Sequence, residues 1–302
     1  IILRYLTIKE RNVREKIRVI FTGPSILSEE IKKLNVRNSS IYITDLSLNI
    51  RNSEKTIELV KNVKEMGNKI IWIDHHQWRD EYKEILGKEI DSLIVNGISS
   101  AARIVYEKFM KDDEISRKIA EYADDIDTLT DRFEESFILR ALSFKKDWQE
   151  KLLDKFYKGV FWDEEISKEA EEIKERVSID LEKTFKKVKI FETKGGLRFG
   201  FIDLRKVKTP KSWLARKAAE KFDLDFMIIL RKDDAISVYI GNRKKNINLL
   251  KVAEKFGGGG HTFACGFKVK LSLKSKIINY ITLKRMVPRE VEEAINTVIG
   301  IM

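Results

Sequence analysis

Short apolar runs closed by a polar residue punctuate the first hundred positions: Ile17 to Phe21, Ser39 to Leu46, Ile70 to Asp74, and residues 92 to 98. Runs of four to eight such residues predict strands, and the continuous Ile70-Ile71-Trp72-Ile73 predicts one buried on both faces. Between them the period lengthens. Ser28 to Leu34 and residues 54 to 67, with Ile57, Leu59, Val60 and Val63, carry one apolar face at helical spacing. Residues 1 to 15 read as a further helix, with Ile1, Ile2, Tyr5, Leu6 and Ile8 on its apolar side. Strand and helix in alternation predict a parallel sheet wound with helices on both faces. Ser99 to Lys111 and residues 134 to 180 continue as helices, the latter ending in the charged run Asp163 to Arg176.

From about Phe185 the pattern changes. Lys187 to Glu192, Arg198 to Leu204, Phe226 to Arg231 and Ala235 to Ile240 predict strands around a helix from Ser212 to Phe222. A helix from Leu249 to Phe256 then precedes Gly257-Gly258-Gly259-Gly260-His261, a strand-like Phe263 to Val269, and a helix from Pro288 to Ile299 with proline near its start. The fold class expected is α/β, with a parallel-sheet N-terminal domain (1–160), a helical connector (161–184), a smaller α/β domain (185–282) and a C-terminal helix (283–302).

Composition sharpens this division. The 302 residues carry a formal charge of +11, which splits into −4 over residues 1–180 and +15 over residues 181–302. A polyanion held by the basic part and cations held by the acidic part account for such asymmetry. Cys265 is alone, so no internal disulfide forms, and a reducing, cytoplasmic setting is expected. No apolar run reaches the roughly 18 residues of a membrane span.

The chemistry-bearing residues sit where the patterns end. Three histidines occur in the chain. Two of them follow the strand ending at Asp74, giving Asp74-His75-His76, and the third, His261, closes the glycine run. Asp45 ends the preceding strand, and open α/β sheets bind ligands at such carboxyl ends. Asp124, Asp125 and Asp127 crowd three carboxylates into four positions, which repel one another unless a cation lies among them. Four successive glycines are entropically costly, and their benefit is unhindered amides that can cradle an anion. Gly241-Asn242-Arg243 stands just upstream, and a guanidinium suits a phosphate contact.

Asp74-His75-His76 paired with a distant Gly-Gly-Gly-Gly-His resembles the DHH/DHHA1 phosphoesterases, which include RecJ-type exonucleases and nanoRNases. The resemblance covers nearly the whole chain. It implies an N-terminal DHH domain and a C-terminal DHHA1 domain, and metal-dependent hydrolysis of phosphodiesters by two Mn²⁺ (or Mg²⁺) ions. It assigns Asp45 and His75 as metal ligands, Asp74 as a ligand or as the group orienting His75, and His76 to the scissile phosphate or leaving group. Either Asp124 or Asp127 completes one ion, with Asp127-Thr128 closer to the family pattern. Gly257, Gly258, Gly259, Gly260, His261 and Arg243 fall to the substrate phosphates. The implied substrate is single-stranded DNA or RNA, or short oligonucleotides, degraded from an end to mononucleotides, with a replication or repair partner or a homodimer as expected company. Two alternatives stay open: a hydrolase of small nucleotides, such as a cyclic dinucleotide or 3′-phosphoadenosine 5′-phosphate, and a catalytically inactive replication scaffold. The family's first motif, His-x-Asp-x-Asp-Gly, does not occur in the chain, and the expectation is that the chain begins just after it.

Overall fold

The computed structural model describes residues 1–11, 13–48, 52–97, 99–128, 130, 132–241 and 247–302. The chain divides into two compact units, Ile1–Ala170 and Glu171–Met302.

In unit 1, α1 (Ile2–Arg4) runs into a π-helical turn, Tyr5–Lys9. The helix expected over residues 1 to 15 stops there, because Arg11 takes a left-handed φ of 52°. Ile17 to Phe21, expected as a strand, forms none. Val19, Ile20 and Phe21 are exposed, and with no described strand beside it the alternation has no core to point into. The remaining elements are α2 (Leu27–Lys32), β1 (Ser40–Thr44), α3 (Ser53–Glu65), β2 (Lys69–Asp74), α4 (Asp80–Glu89), β3 (Ser92–Val95), α5 (Ala101–Phe109), α6 (Glu114–Thr128), α7 (Glu134–Ser143) and α8 (Lys146–Tyr157). Helix α9 (Glu164–Lys187) then carries the chain into unit 2.

The strands pair in parallel in the order β1-β2-β3. Alternation along β2 explains how helices cover both faces. Ile70 and Trp72 pack with Ile57, Val60 and Val63 of α3 and Leu86 of α4, whereas Ile71 and Ile73 pack with Ile104 and Val105 of α5. Each buried side chain of this size stabilises by roughly 2 kcal/mol, so β2 is the anchor from which its C-terminal residues are aimed.

Unit 2 contains β4 (Lys189–Glu192), β5 (Arg198–Asp203), α10 (Lys211–Phe222), β6 (Phe226–Leu230), β7 (Ala235–Ile240), α11 (Leu250–Lys255), β8 (Gly259–His261), β9 (Ala264–Lys268), α12 (Leu273–Ile281) and α13 (Arg289–Ile301). Its sheet order is β4-β5-β6-β7-β9-β8, with β5 and β6 parallel and every other pair antiparallel. One face buries Phe226, Ile228, Ile236 and Val238 with Val252 of α11 and Val291 and Val298 of α13. The other buries Ile202, Met227 and Ile229 under Leu214, Ala215 and Ala218 of α10. Helix α12 has a lysine-rich sequence that masked its periodicity, and it is tethered through buried Arg205. That guanidinium donates to Asp203 (2.7 Å), to Asn279 of α12 (3.1 Å), and to the carbonyls of Lys284 and Met286 (2.9 and 2.8 Å). Among the described residues, no helix is long and apolar enough to cross a membrane.

Candidate metal centre and glycine strand

The parallel register of β1 and β2 pairs Thr44 with Ile73, and the Asp45 amide donates to the Ile73 carbonyl (3.0 Å). Asp45 therefore leaves β1 where β2 delivers Asp74 and His75. Its backbone is left-handed, with φ 60°. His75 is buried, and its Nε2 lies 3.2 Å from Asp45 Oδ1 and 3.6 Å from Asp127 Oδ2 of α6. One donor atom from each of Asp45, Asp74, His75 and His76 lies within 4.8 Å of the others.

Asp74, fully buried, has both carboxylate oxygens occupied. Oδ1 meets His76 Nδ1 at 2.8 Å, and Oδ2 accepts the Trp78 indole N–H at 2.6 Å. Asp74, expected to ligate a metal or orient His75, has its carboxylate oxygens on the His76 imidazole and the Trp78 indole. Burial alone would raise the Asp74 carboxyl, but the His76 hydrogen bond and charge and the Trp78 N–H together hold it below its ordinary range. An ionised Asp74 makes Nδ1 of His76 the donor, which leaves Nε2 as the ring nitrogen that Asp74 does not hold. Burial would lower His76, and the bond to Asp74 outweighs it and raises it. Trp78 was missed in the sequence; the signal was an indole N–H two residues past His76, close to the core that its strand serves, in need of an acceptor.

The three clustered aspartates separate once α6 is formed. Asp124 accepts from the Ser100 amide and hydroxyl (3.2 and 2.7 Å) and pairs with Arg103 at 2.8 Å, which fixes the start of α5. Asp125 accepts from the Thr130 hydroxyl (2.6 Å) and the amides of Arg132 and Phe133 (2.7 and 3.1 Å), ordering the approach to α7. Asp127 is the member of the three that reaches His75. Asp124, the less favoured of the two candidates from sequence, is committed to Arg103 and Ser100.

The charges around His75 are out of balance. Burial pushes the Asp127 carboxyl up to about 6, Asp45 adds to the rise, and His75 and Arg140 of α7 oppose it. Burial would lower His75, yet the Asp45 hydrogen bond and the charges of Asp127, Asp45 and Asp74 raise it to about 9. A proton is therefore retained among these groups at neutral pH, where a divalent cation would satisfy the same oxygens and nitrogen. Carboxylate and imidazole donors without thiolate suit Mn²⁺ or Mg²⁺, so the residues fit such an ion.

In unit 2 the glycine run divides between packing and exposure. Gly257 (φ 62°) and Gly258 end α11, their amides donating to Glu254 (3.1 Å) and Ala253 (2.8 Å), as in a helix C-cap. A Cβ on Gly258 would stand 2.3 Å from the Gly266 carbonyl, and one on Gly260 (φ 144°) 2.3 Å from that of Ala264. The expectation that these glycines have little structural reason, with the amides of Gly258 to Gly260 free for an anion, is corrected for Gly257 and Gly258, whose amides are spent on the cap. Gly259 alone of the four combines an ordinary φ with open space where its side chain would be. Gly259 to His261 form the edge strand β8, with His261 paired to Ala264. Arg243 falls in 242–246, outside the described residues.

Neither a family model nor a curated protein matches the chain. Among solved structures it is similar to a DHH domain described as belonging to a family of ribosomal proteins, with 17% identity and a TM-score of 0.52 over 87% of this chain and 73% of that one. Weaker likenesses are to PggH, a pGpG-specific phosphodiesterase from Vibrio cholerae (13% identity, TM-score 0.44, 82% of this chain and 97% of that one), and to an exopolyphosphatase-related protein from Bacteroides fragilis (16%, 0.42, 89% and 74%). At such identities the likeness concerns the fold.

Proposed function

From the premise that this chain has the DHH-domain fold, we propose that it is a divalent-metal-dependent phosphodiesterase that removes mononucleotides from the end of single-stranded nucleic acid or short oligonucleotides. The observation that carries the reading is His75 Nε2 set between Asp45 and Asp127 at the carboxyl ends of adjacent parallel strands, at 3.2 and 3.6 Å. Asp45, His75 and Asp127 are the groups we assign to Mn²⁺ or Mg²⁺. Bound there, such ions would lower the pKa of a coordinated water and offset charge on the phosphoryl oxygens.

The chain's own residues do the rest. As the P–O bond to the leaving group breaks, the departing oxygen needs a proton, and we assign its delivery to Nε2 of His76. Asp74 holds the opposite ring nitrogen at 2.8 Å and keeps the imidazole protonated, and Trp78 fixes Asp74. A buried acceptor with both oxygens engaged cannot rotate away, so the ring keeps its aim.

The basic second unit favours a polymeric substrate. We assign substrate phosphates to Arg243, Gly259, Gly260 and His261, a smaller set than the sequence suggested. Phosphate contacts carry no base information, so hydrolysis should be insensitive to sequence. The test is incubation of the full chain and of its His75→Ala variant with Mn²⁺ and end-labelled single strands of two to thirty nucleotides. Stepwise release of mononucleotides by the unaltered chain alone supports the reading. Absence of any cleavage by the unaltered chain, with strands still bound, refutes it and leaves a binding protein.

A further inference from the structure

At the end of the unit 2 sheet away from β8, a second group of cations meets polar atoms that have no partner. Strands β5 and β6 are parallel, and both end there, at Asp203 and Leu230. The turn after β5 folds over this end through a chain of hydrogen bonds. The Leu204 amide donates to the Leu230 carbonyl (2.9 Å), the Val207 amide to the Leu204 carbonyl (3.1 Å), and the Lys211 ammonium to the Val207 carbonyl (2.8 Å). Lys211, the first residue of α10, is thereby brought beside Arg231, the residue following β6. Carboxyl ends of parallel strands at a helix N-terminus are where α/β folds receive anions.

Several features set this end apart. Helix α10 begins without a side-chain cap: Pro210 supplies none, and the neighbouring Thr209 hydroxyl donates instead to Asp180 (2.6 Å). Ser212, in the first turn, is only 4% exposed, and its hydroxyl has no hydrogen-bond partner. Buried hydroxyls are normally paired, and one left over in a helix's first turn lacks an acceptor. The buried Nε of Arg231 is likewise without a partner. Lys211 is lowered by its burial and by the Arg231 charge, with Asp180 opposing, as expected of two cations sharing too little negative charge. Among the described side chains, Asp203 and Asp234 at this end are engaged by Arg205, at 2.7 and 3.5 Å. Lys206, Lys208 and Lys232 stand exposed around the rim.

We propose that Lys211, Ser212, Arg231 and the first-turn amides of α10 form a second phosphate-binding site, distinct from the glycine strand. One phosphate cannot serve both places. His261 pairs with Ala264, which pairs with Tyr239, whereas Arg231 adjoins Ala235, four residues back along β7. At strand rise that separation is about 13 Å. A phosphoryl group here accepts from the two cations, the Ser212 hydroxyl and the amides, leaving none of them orphaned. The group can belong to a nucleic acid strand or to a free phosphate.

The test measures binding without turnover, so it stands or falls independently of the proposed hydrolysis. The full chain and a Lys211→Gln/Arg231→Gln double variant are melted with and without inorganic phosphate, and each is titrated with a fluorescent twelve-residue oligothymidylate over a range of salt. The expected result is loss of the phosphate-induced rise in Tm in the variant. If the source is a strand, affinity for the oligonucleotide also falls about tenfold, and its salt slope shrinks by about 1.4, the value for two contacts to single strands. If the source is free phosphate, the oligonucleotide binds as before. A Lys211→Arg/Arg231→Lys variant should restore binding, which separates lost charge from lost fold. A Lys211→Gln/Arg231→Gln variant that keeps both the phosphate-induced rise and the oligonucleotide affinity of the unaltered chain overturns the proposal.

Discussion

Where β2 ends in unit 1, two carboxylates face a buried imidazole, and the groups respond by holding a proton. Along β8 in unit 2 there is almost no side chain at all, and the backbone itself approaches its neighbours to distances that forbid a Cβ. The first region stores unfavourable electrostatics that a ligand would release; the second stores none, since two of its four glycines are consumed by packing and a third, Gly257, by the helix cap. Mutations should therefore separate them. Changes at the acidic cluster should damage chemistry and spare the fold, and most changes in the glycine run should do the reverse.

The largest expected effect is at the cluster. Asp45→Asn should lower turnover by a factor of about 10³ or more, as loss of a metal ligand's charge implies, with Tm preserved because asparagine also accepts the left-handed backbone at that position; a fall in Tm matching the loss of activity would erase the contrast. Next, Gly258→Ala should destabilise the chain by about 3 kcal/mol, the upper range for overpacking, read as a shifted midpoint in urea, because its Cβ meets a backbone oxygen. Asp74→Asn should then reduce turnover by roughly 10- to 100-fold, the usual cost of an outer partner. The sharper readout is its pH profile, in which the basic limb moves to lower pH because His76 loses the carboxylate that raises it.

A smaller effect is expected in the pH dependence of stability without metal. Asp127, raised from 3.8 to about 6, stabilises least when ionised, so its contribution is lost as pH climbs through that window. His75, raised from 6.5 to about 9, contributes fully below 6.5 and loses that contribution as pH passes 9. Melts in a chelator from pH 4 to 9 should fall by on the order of 5 °C from these two groups. Mn²⁺ should remove the decline, whereas Asp127→Asn should remove its lower half. The smallest effect is Gly259→Ala, which should shift stability by less than about 0.5 kcal/mol, the range of unobstructed surface changes, while raising KM for a strand. A stable variant with unchanged KM would separate Gly259 from substrate.

Contiguity decided what the sequence could reveal. Asp74-His75-His76 was readable because a continuous apolar run necessarily ends at a strand's carboxyl end, and the parallel order of β1 and β2 followed from the intervening helix. Between Asp124 and Asp127 the sequence offered only a leaning toward Asp127, since the contacts that engage Asp124 come from Arg103 and Ser100, more than twenty residues upstream. That Asp74 holds the His76 ring and the Trp78 indole was not readable, because both contacts are made past the end of β2, where no periodic pattern fixes which way the side chains turn. The glycine run looked like a pure anion cradle because close approach by β9 leaves no mark in a string of glycines. Ile17 to Phe21 had the alternation of a strand but, among the described residues, no strand to pair with.

The left-handed backbone at residue 45 narrows what chance substitution can do there. Glycine, asparagine and aspartate are the side chains that enter that conformation readily, and others cost roughly 1 kcal/mol or more. Of those three, only aspartate carries charge. The loop shape therefore filters replacements before any selection on chemistry begins, and an asparagine in a relative would mark lost activity on a backbone that has not changed.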